Sequence, residues 1–102
     1  EAVCFEIITD YPNEISDEII FTLNHSCTLI PAKGMYSGEE KNLLICVINK
    51  SQIATLSKLI RRYPNTFAIM SSVSEVMGNF KKLNPEGKEN KDYLDSGDSS
   101  AV

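Results

Sequence analysis

Leu43-Leu44-Ile45-Cys46-Val47-Ile48 is apolar at every position. Successive side chains of a strand point to opposite faces, so a strand of this kind needs cover on both sides. Its β-branched residues favour a strand over a helix. The run is far shorter than the roughly 18 residues of a membrane helix. The chain must therefore build a sheet in which this strand is internal, with something against each face.

The flanking segments supply the remaining elements. Val3-Cys4-Phe5-Glu6-Ile7-Ile8-Thr9 is β-branched and aromatic and reads as a first strand. Asp10-Tyr11-Pro12-Asn13 breaks it and offers helix-start chemistry, with Glu14, Asp17 and Glu18 near the positive end of the dipole. Ile15, Ile19, Ile20 and Leu23 recur on one helical face, and Asn24-His25-Ser26 closes the helix. Cys27-Thr28-Leu29-Ile30 begins a second strand, which Pro31 marks as an edge because proline has no donor for a ladder. Gly34 to Lys41 is a turn region leading into the apolar third strand. Ser51 is suited to cap a second helix carrying Ile53, Leu56, Leu59, Ile60 and Tyr63 on one face. Pro64 ends it, Thr66–Met70 forms a fourth strand, and Ser74–Met77 reads as a short helical turn before Gly78.

The order is β-α-β-β-α-β. It predicts an α+β, ferredoxin-like sandwich: a four-stranded antiparallel sheet, first and third strands central, with two helices on one face. Two helices cannot cover the other face. Leu43, Ile45 and Val47 fall on one side of the third strand and Leu44, Cys46 and Ile48 on the other. An uncovered apolar face of that size usually marks an interface. Self-association through the open sheet face is one expectation. Fold-back of the segment around Phe80 and Leu83 is the other.

Composition narrows the function. Ten basic against fourteen acidic residues give a net charge of −4 and a pI near 4.9. That balance disfavours a nucleic-acid binder, and the third strand lacks the stacking aromatics of RNA-recognition domains. Residues 1–80 read as one domain and residues 81–102, polar and aperiodic, as a mostly disordered C-terminal tail. The chain opens on Glu1 rather than Met, as expected of a piece of something longer.

Few residues suggest chemistry. Cys4, Cys27 and Cys46 lack a CxxC pair and read as buried thiols, so no metal site is expected. Cys4 and Cys46, on the two central strands, are expected to lie near one another. His25 is the sole histidine and reads as a helix-end partner. No nucleophile–base pair is evident, and the chain reads as a non-enzyme without a cofactor. The densest signal is Gly34-Met35-Tyr36-Ser37-Gly38-Glu39-Glu40-Lys41. Its residues fit a solvated hairpin tip with turn glycines, or a binding loop on a rigid scaffold.

Ile15-Ser16-Asp17, Gly34-x-Tyr36-Ser37-Gly38-Glu39-Glu40-Lys41, Leu43-Leu44-x-Cys46-Val47 and Ser74-Glu75-Val76-Met77-Gly78 together resemble the C-terminal domain of YitT-type bacterial membrane proteins. That domain is one of unknown function with a PII-like (GlnB-like) fold. The resemblance implies a cytoplasmic domain of an integral membrane protein, with the membrane domain of the same parent chain as a partner. PII-like relatives often form trimers and bind nucleotides or other effectors between subunits. By that analogy this is a regulatory or sensory domain binding a small, anionic or nucleotide-like effector at a subunit interface. Gly34, Tyr36, Ser37, Gly38 and Lys41 are the candidate ligand-binding residues. The glycines would let backbone N–H groups approach the ligand, Ser37 would donate, Tyr36 would flank a ring and Lys41 would neutralise charge. The long loop of PII signalling proteins between strands two and three is here only the short Tyr36–Lys41 turn. A purely structural oligomerisation domain is the alternative.

Overall fold

The computed structural model describes residues 2–78. Its strands are β1 (Ala2–Thr9), β2 (Thr28–Lys33), β3 (Glu40–Asn49) and β4 (Phe67–Val73). Its helices are α1 (Pro12–Leu23) and α2 (Ile53–Ile60), the second preceded by a 3₁₀ turn over Lys50–Gln52. The sheet runs β2-β3-β1-β4 and every neighbouring pair is antiparallel. The expected sandwich, with β1 and β3 inside, is the one observed. The expected C-terminal tail lies outside the described residues, as do Phe80 and Leu83.

Alternation within the strands fixes the layers. Val3, Phe5, Ile7 and Thr9 of β1 are buried, as are Leu44, Cys46 and Ile48 of β3. They meet Ile15, Ile19 and Leu23 of α1 and Leu56, Leu59 and Ile60 of α2 in one core. Fully burying such an aliphatic side chain stabilises the fold by roughly 1.5–3 kcal/mol. The intervening residues Cys4, Glu6 and Ile8 of β1, and Leu43, Ile45 and Val47 of β3, are half-buried on the opposite face. No described residue packs over that face as a layer. Cys4 and Cys46 therefore stand on adjacent strands but opposite faces, because Cys4 is in register with Val47 and Cys46 with Phe5.

Local chemistry shifts several boundaries. The Thr9 hydroxyl accepts from the Tyr11 N–H at 3.0 Å and meets the Thr66 hydroxyl at 2.8 Å, tying the end of β1 to the start of β4. Pro12 then opens α1, and Asn24 ends it in the left-handed region at φ 57°. Pro31 sits inside edge strand β2, opposite Asn42, where an absent N–H costs no ladder bond. Asn49, rather than Ser51, starts the second helical segment, through a reciprocal capping box with Gln52. The expected helical turn at Ser74–Met77 is not formed, and Ser74 is only a bend. Tyr63 lies beyond the end of α2, on a turn, where it stacks at a tilt on Tyr11 with ring centroids 5.6 Å apart.

Candidate functional site

Gly34, Tyr36, Ser37 and Gly38 lie in the β2–β3 connection, and Lys41 follows at the start of β3. Gly34 N–H donates to the Glu39 carbonyl and Gly38 N–H to the Gly34 carbonyl, both at 2.8 Å. Glu39 N–H donates to the Ser37 hydroxyl oxygen at 3.1 Å. The two glycine N–H groups are thus engaged inside the turn, and the glycines shape it rather than face a ligand through those donors. Gly38 has φ +74°, a conformation that residues with a Cβ resist. A Cβ on Gly34 would stand 3.0 Å from the Ser37 hydroxyl oxygen. The Ser37 hydroxyl keeps its own hydrogen for donation outward.

At the tip, Met35 and Tyr36 are almost wholly solvent-exposed, at 92% and 106% of a free residue. No core contact holds them, so the turn presents them. Below the tip, Lys41 lies 3.6 Å from Asp10 and 3.7 Å from Glu39. Asp10 and Lys33 enter this neighbourhood although sequence spacing did not single them out. Asp10 arrives because β1 and β3 are antiparallel, with Thr9 opposite Asn42. Lys33 arrives as the register partner of Glu40. A shallow cleft of about 740 Å³ lies here, lined by Pro31, Ala32, Lys33, Gly38, Glu40 and Lys41 together with Asn42. Asn42 is held by donating from its side-chain amide to the Thr9 carbonyl at 3.2 Å.

The remaining candidates are occupied structurally. His25 is fully buried, and its Nε2 is 2.9 Å from Oε1 of Gln52. Because that oxygen also takes the Asn49 N–H at 3.1 Å, the ring nitrogen is the donor. Cys46 is buried and its thiol, pointed at the Ser26 carbonyl, is pushed up to about 12, chiefly by burial and further by Cys27 and Cys4. Burial also raises the thiols of Cys4 and Cys27, with Glu6 adding to the effect at Cys4. Among the described residues no three His, Cys, Asp or Glu side chains gather as a metal site. On the helical face, Glu18 accepts from Tyr63 and Arg62, and the Tyr63 bond above all, with help from Arg62, outweighs the opposing effect of burial and lowers its carboxyl.

The open sheet face is the second feature of functional size. Phe67 and Ile69 of β4 join the half-buried row of β1 and β3, and are 59% and 55% exposed. Among the described helices none is long and apolar enough to cross a membrane.

Comparison with known proteins places the fold and the chain. UPF0750 membrane protein YxkD of Bacillus subtilis is 32% identical over 73 residues, covering 71% of this chain and 26% of that protein. UPF0750 membrane protein YitT of the same organism is 29% identical over 77 residues, covering 74% of this chain and 28% of that protein. The chain thus spans about a quarter of the length of these relatives. The crystal structure of an uncharacterised DUF2179 protein from Eubacterium ventriosum shares the fold, with a TM-score of 0.58 at 24% identity over 70% of this chain and 99% of that one. The profile of the family described as "Uncharacterized protein conserved in bacteria (DUF2179)" matches residues 25–78. That stretch covers just over half of the chain and holds both the hairpin and the apolar third strand, and the chain belongs to the DUF2179 family.

Proposed function

We propose that this chain is a non-enzymatic regulatory or sensory domain of a multi-pass membrane protein, placed on the cytoplasmic side. It binds a small anionic or nucleotide-like effector at an interface between copies. The observation that carries this reading is the β2–β3 turn: internally hydrogen-bonded, hence rigid, with Lys33, Gly38 and Lys41 lining an open cleft and Tyr36 and Ser37 exposed on the same turn, outside the cleft lining. A cleft this shallow leaves a ligand half exposed, and a second copy would supply the missing wall. Gly34 and Gly38 set the backbone path, Tyr36 flanks a ring, Ser37 donates, and Lys41 exchanges Asp10 and Glu39 for the ligand's charge. The non-enzymatic part of the reading is supported by His25, which is buried and engaged by Gln52 and so is withdrawn from proton transfer. The relatives named as membrane proteins, four times the length of the matched segment, support a membrane domain in the same parent chain.

A thermal-shift panel of nucleotides, cyclic dinucleotides and amino acids tests it. A true ligand at a hundred times its dissociation constant adds about 2.7 kcal/mol of stability. Lys41→Ala and Ser37→Ala should each abolish that gain. No response to any compound counts against the ligand.

The open sheet face supports a second reading, self-association with no ligand. Ile45→Asp is the appropriate probe, because Ile45 lies on the open face whereas Leu44 is core. Light scattering should show loss of the oligomer with the fold retained.

A further inference from the structure

The open sheet face is mainly apolar, with Thr28, Lys41 and Ser71 toward its margins and one carboxylate at its centre. Glu6 sits midway along β1, an inner strand, with its side chain on that face. Its register partners are Ile45 of β3 and Ile69 of β4. Along β1 its same-face neighbours are Cys4 and Ile8. The diagonal positions on β3 and β4 are apolar, apart from the Ser71 hydroxyl opposite Cys4. Cys4 is thus the one titratable group beside it. The nearest charged residue on the same face is Lys41, two same-face positions beyond Ile45 and already held by Asp10 and Glu39. Among the described residues Glu6 makes no ion pair.

Covering this face desolvates Glu6. An ionised carboxylate buried without a partner is strongly unfavourable, so it either meets a cation or takes up a proton. We propose that the face closes on a second copy of this chain, and that Glu6 makes this association proton-linked. The inference rests on the self-association reading above. About seven residues at 3.3 Å, across four strands at 4.8 Å, give roughly 400–500 Å² per copy, about 900 Å² for the pair. That falls short of the roughly 1,000 Å² a stable specific interface needs and fits a weak association, in which one charge decides the outcome. In a symmetric face-to-face pair the central residue approaches its own counterpart. Two carboxylates brought together cannot both stay ionised, and one proton is shared. Cys4, its thiol raised by burial and by Glu6, stays neutral throughout. The pair therefore takes up one proton as it forms.

Sedimentation velocity on the full 102-residue chain, between about pH 5 and about pH 8, decides the matter for wild type and Glu6→Gln. The wild-type dissociation constant should fall about tenfold per pH unit on acidification. Glu6→Gln should associate at least as tightly as acidified wild type, with no dependence on pH. A wild-type oligomer insensitive to pH, or a Glu6→Gln oligomer that keeps the dependence, overturns the role of Glu6 while leaving self-association intact. Monomers of both chains at every pH overturn the self-association reading itself.

Discussion

The buried ring of His25 donates from Nε2 to the side-chain oxygen of Gln52 across 2.9 Å. Gln52 in turn donates to the Leu23 carbonyl and accepts from the Asn49 N–H, each at 3.1 Å. One amide thus joins the end of α1, the segment leading into β2 and the entry to α2. Gln52→Leu removes all three bonds and strands a buried carbonyl and a buried imidazole N–H. Urea unfolding should show a loss of about 1–3 kcal/mol. An unchanged midpoint would show that the junction is not stabilised by this amide.

Glu18 and Tyr63 form a pH-sensitive pair. Tyr63, then Arg62, holds the Glu18 carboxyl below its ordinary value, and the same bond to Glu18 raises the Tyr63 phenol. The Glu18 contribution is complete above the ordinary carboxylate range and is lost as pH falls through its lowered value. The Tyr63 contribution is complete below the ordinary phenol range and is lost as pH rises through its raised value. With Glu18 still about a third exposed at 31%, the pair is a modest one. Tyr63→Phe should return the Glu18 titration, followed by carbon-detected NMR, toward the ordinary range, at a cost near 0.5 kcal/mol at neutral pH.

The hairpin should be sensitive to one methyl group. Gly38→Ala forces a Cβ into φ +74° and should cost about 1 kcal/mol. Hydrogen exchange should report faster amide exchange at Gly34 and Gly38 and little change in β1. Asparagine tolerates this region, so Gly38→Asn should recover much of the loss. Equal effects of both substitutions would refute the conformational explanation.

Cys4 and Cys46 should separate by reactivity. Cys46, pushed to about 12 and buried, should resist Ellman's reagent near neutral pH until the chain unfolds. Cys4, on the open face, should react before it, although its thiol is also raised. Labelling of Cys46 at the same rate as Cys4 in folded protein would contradict the assigned faces.

The strand order was legible because two patterns agreed. Pro31 placed β2 at an edge, and the unbroken run from Leu43 to Ile48 placed β3 inside. Alternation in Val3–Thr9 separates Val3, Phe5 and Ile7 from Cys4, Glu6 and Ile8, but only the packing of the helices makes the first set the inward one. The helix boundaries were less legible, since Asn49 and Gln52 satisfy each other across three residues and displace Ser51 from the cap. The Ser74–Met77 turn was over-read, because Gly78 suggested a helix end where no helix precedes it. At the hairpin, sequence placed the glycines but not their hydrogen bonds. Spacing could not reveal Asp10 beside Lys41, a contact made by register between strands more than thirty residues apart.

Ala2 and Val73, the outer ends of β1 and β4, are register partners. This has a mechanical consequence. A pull applied between these two residues loads the β1–β4 ladder at one end, so its rungs open singly, from Ala2–Val73 toward Ile8–Phe67, like a zipper. The same pull does not shear β1 along its length. Tension across this pair would therefore strip β4 first, while β1, β2 and β3 remained paired and the hairpin kept its shape.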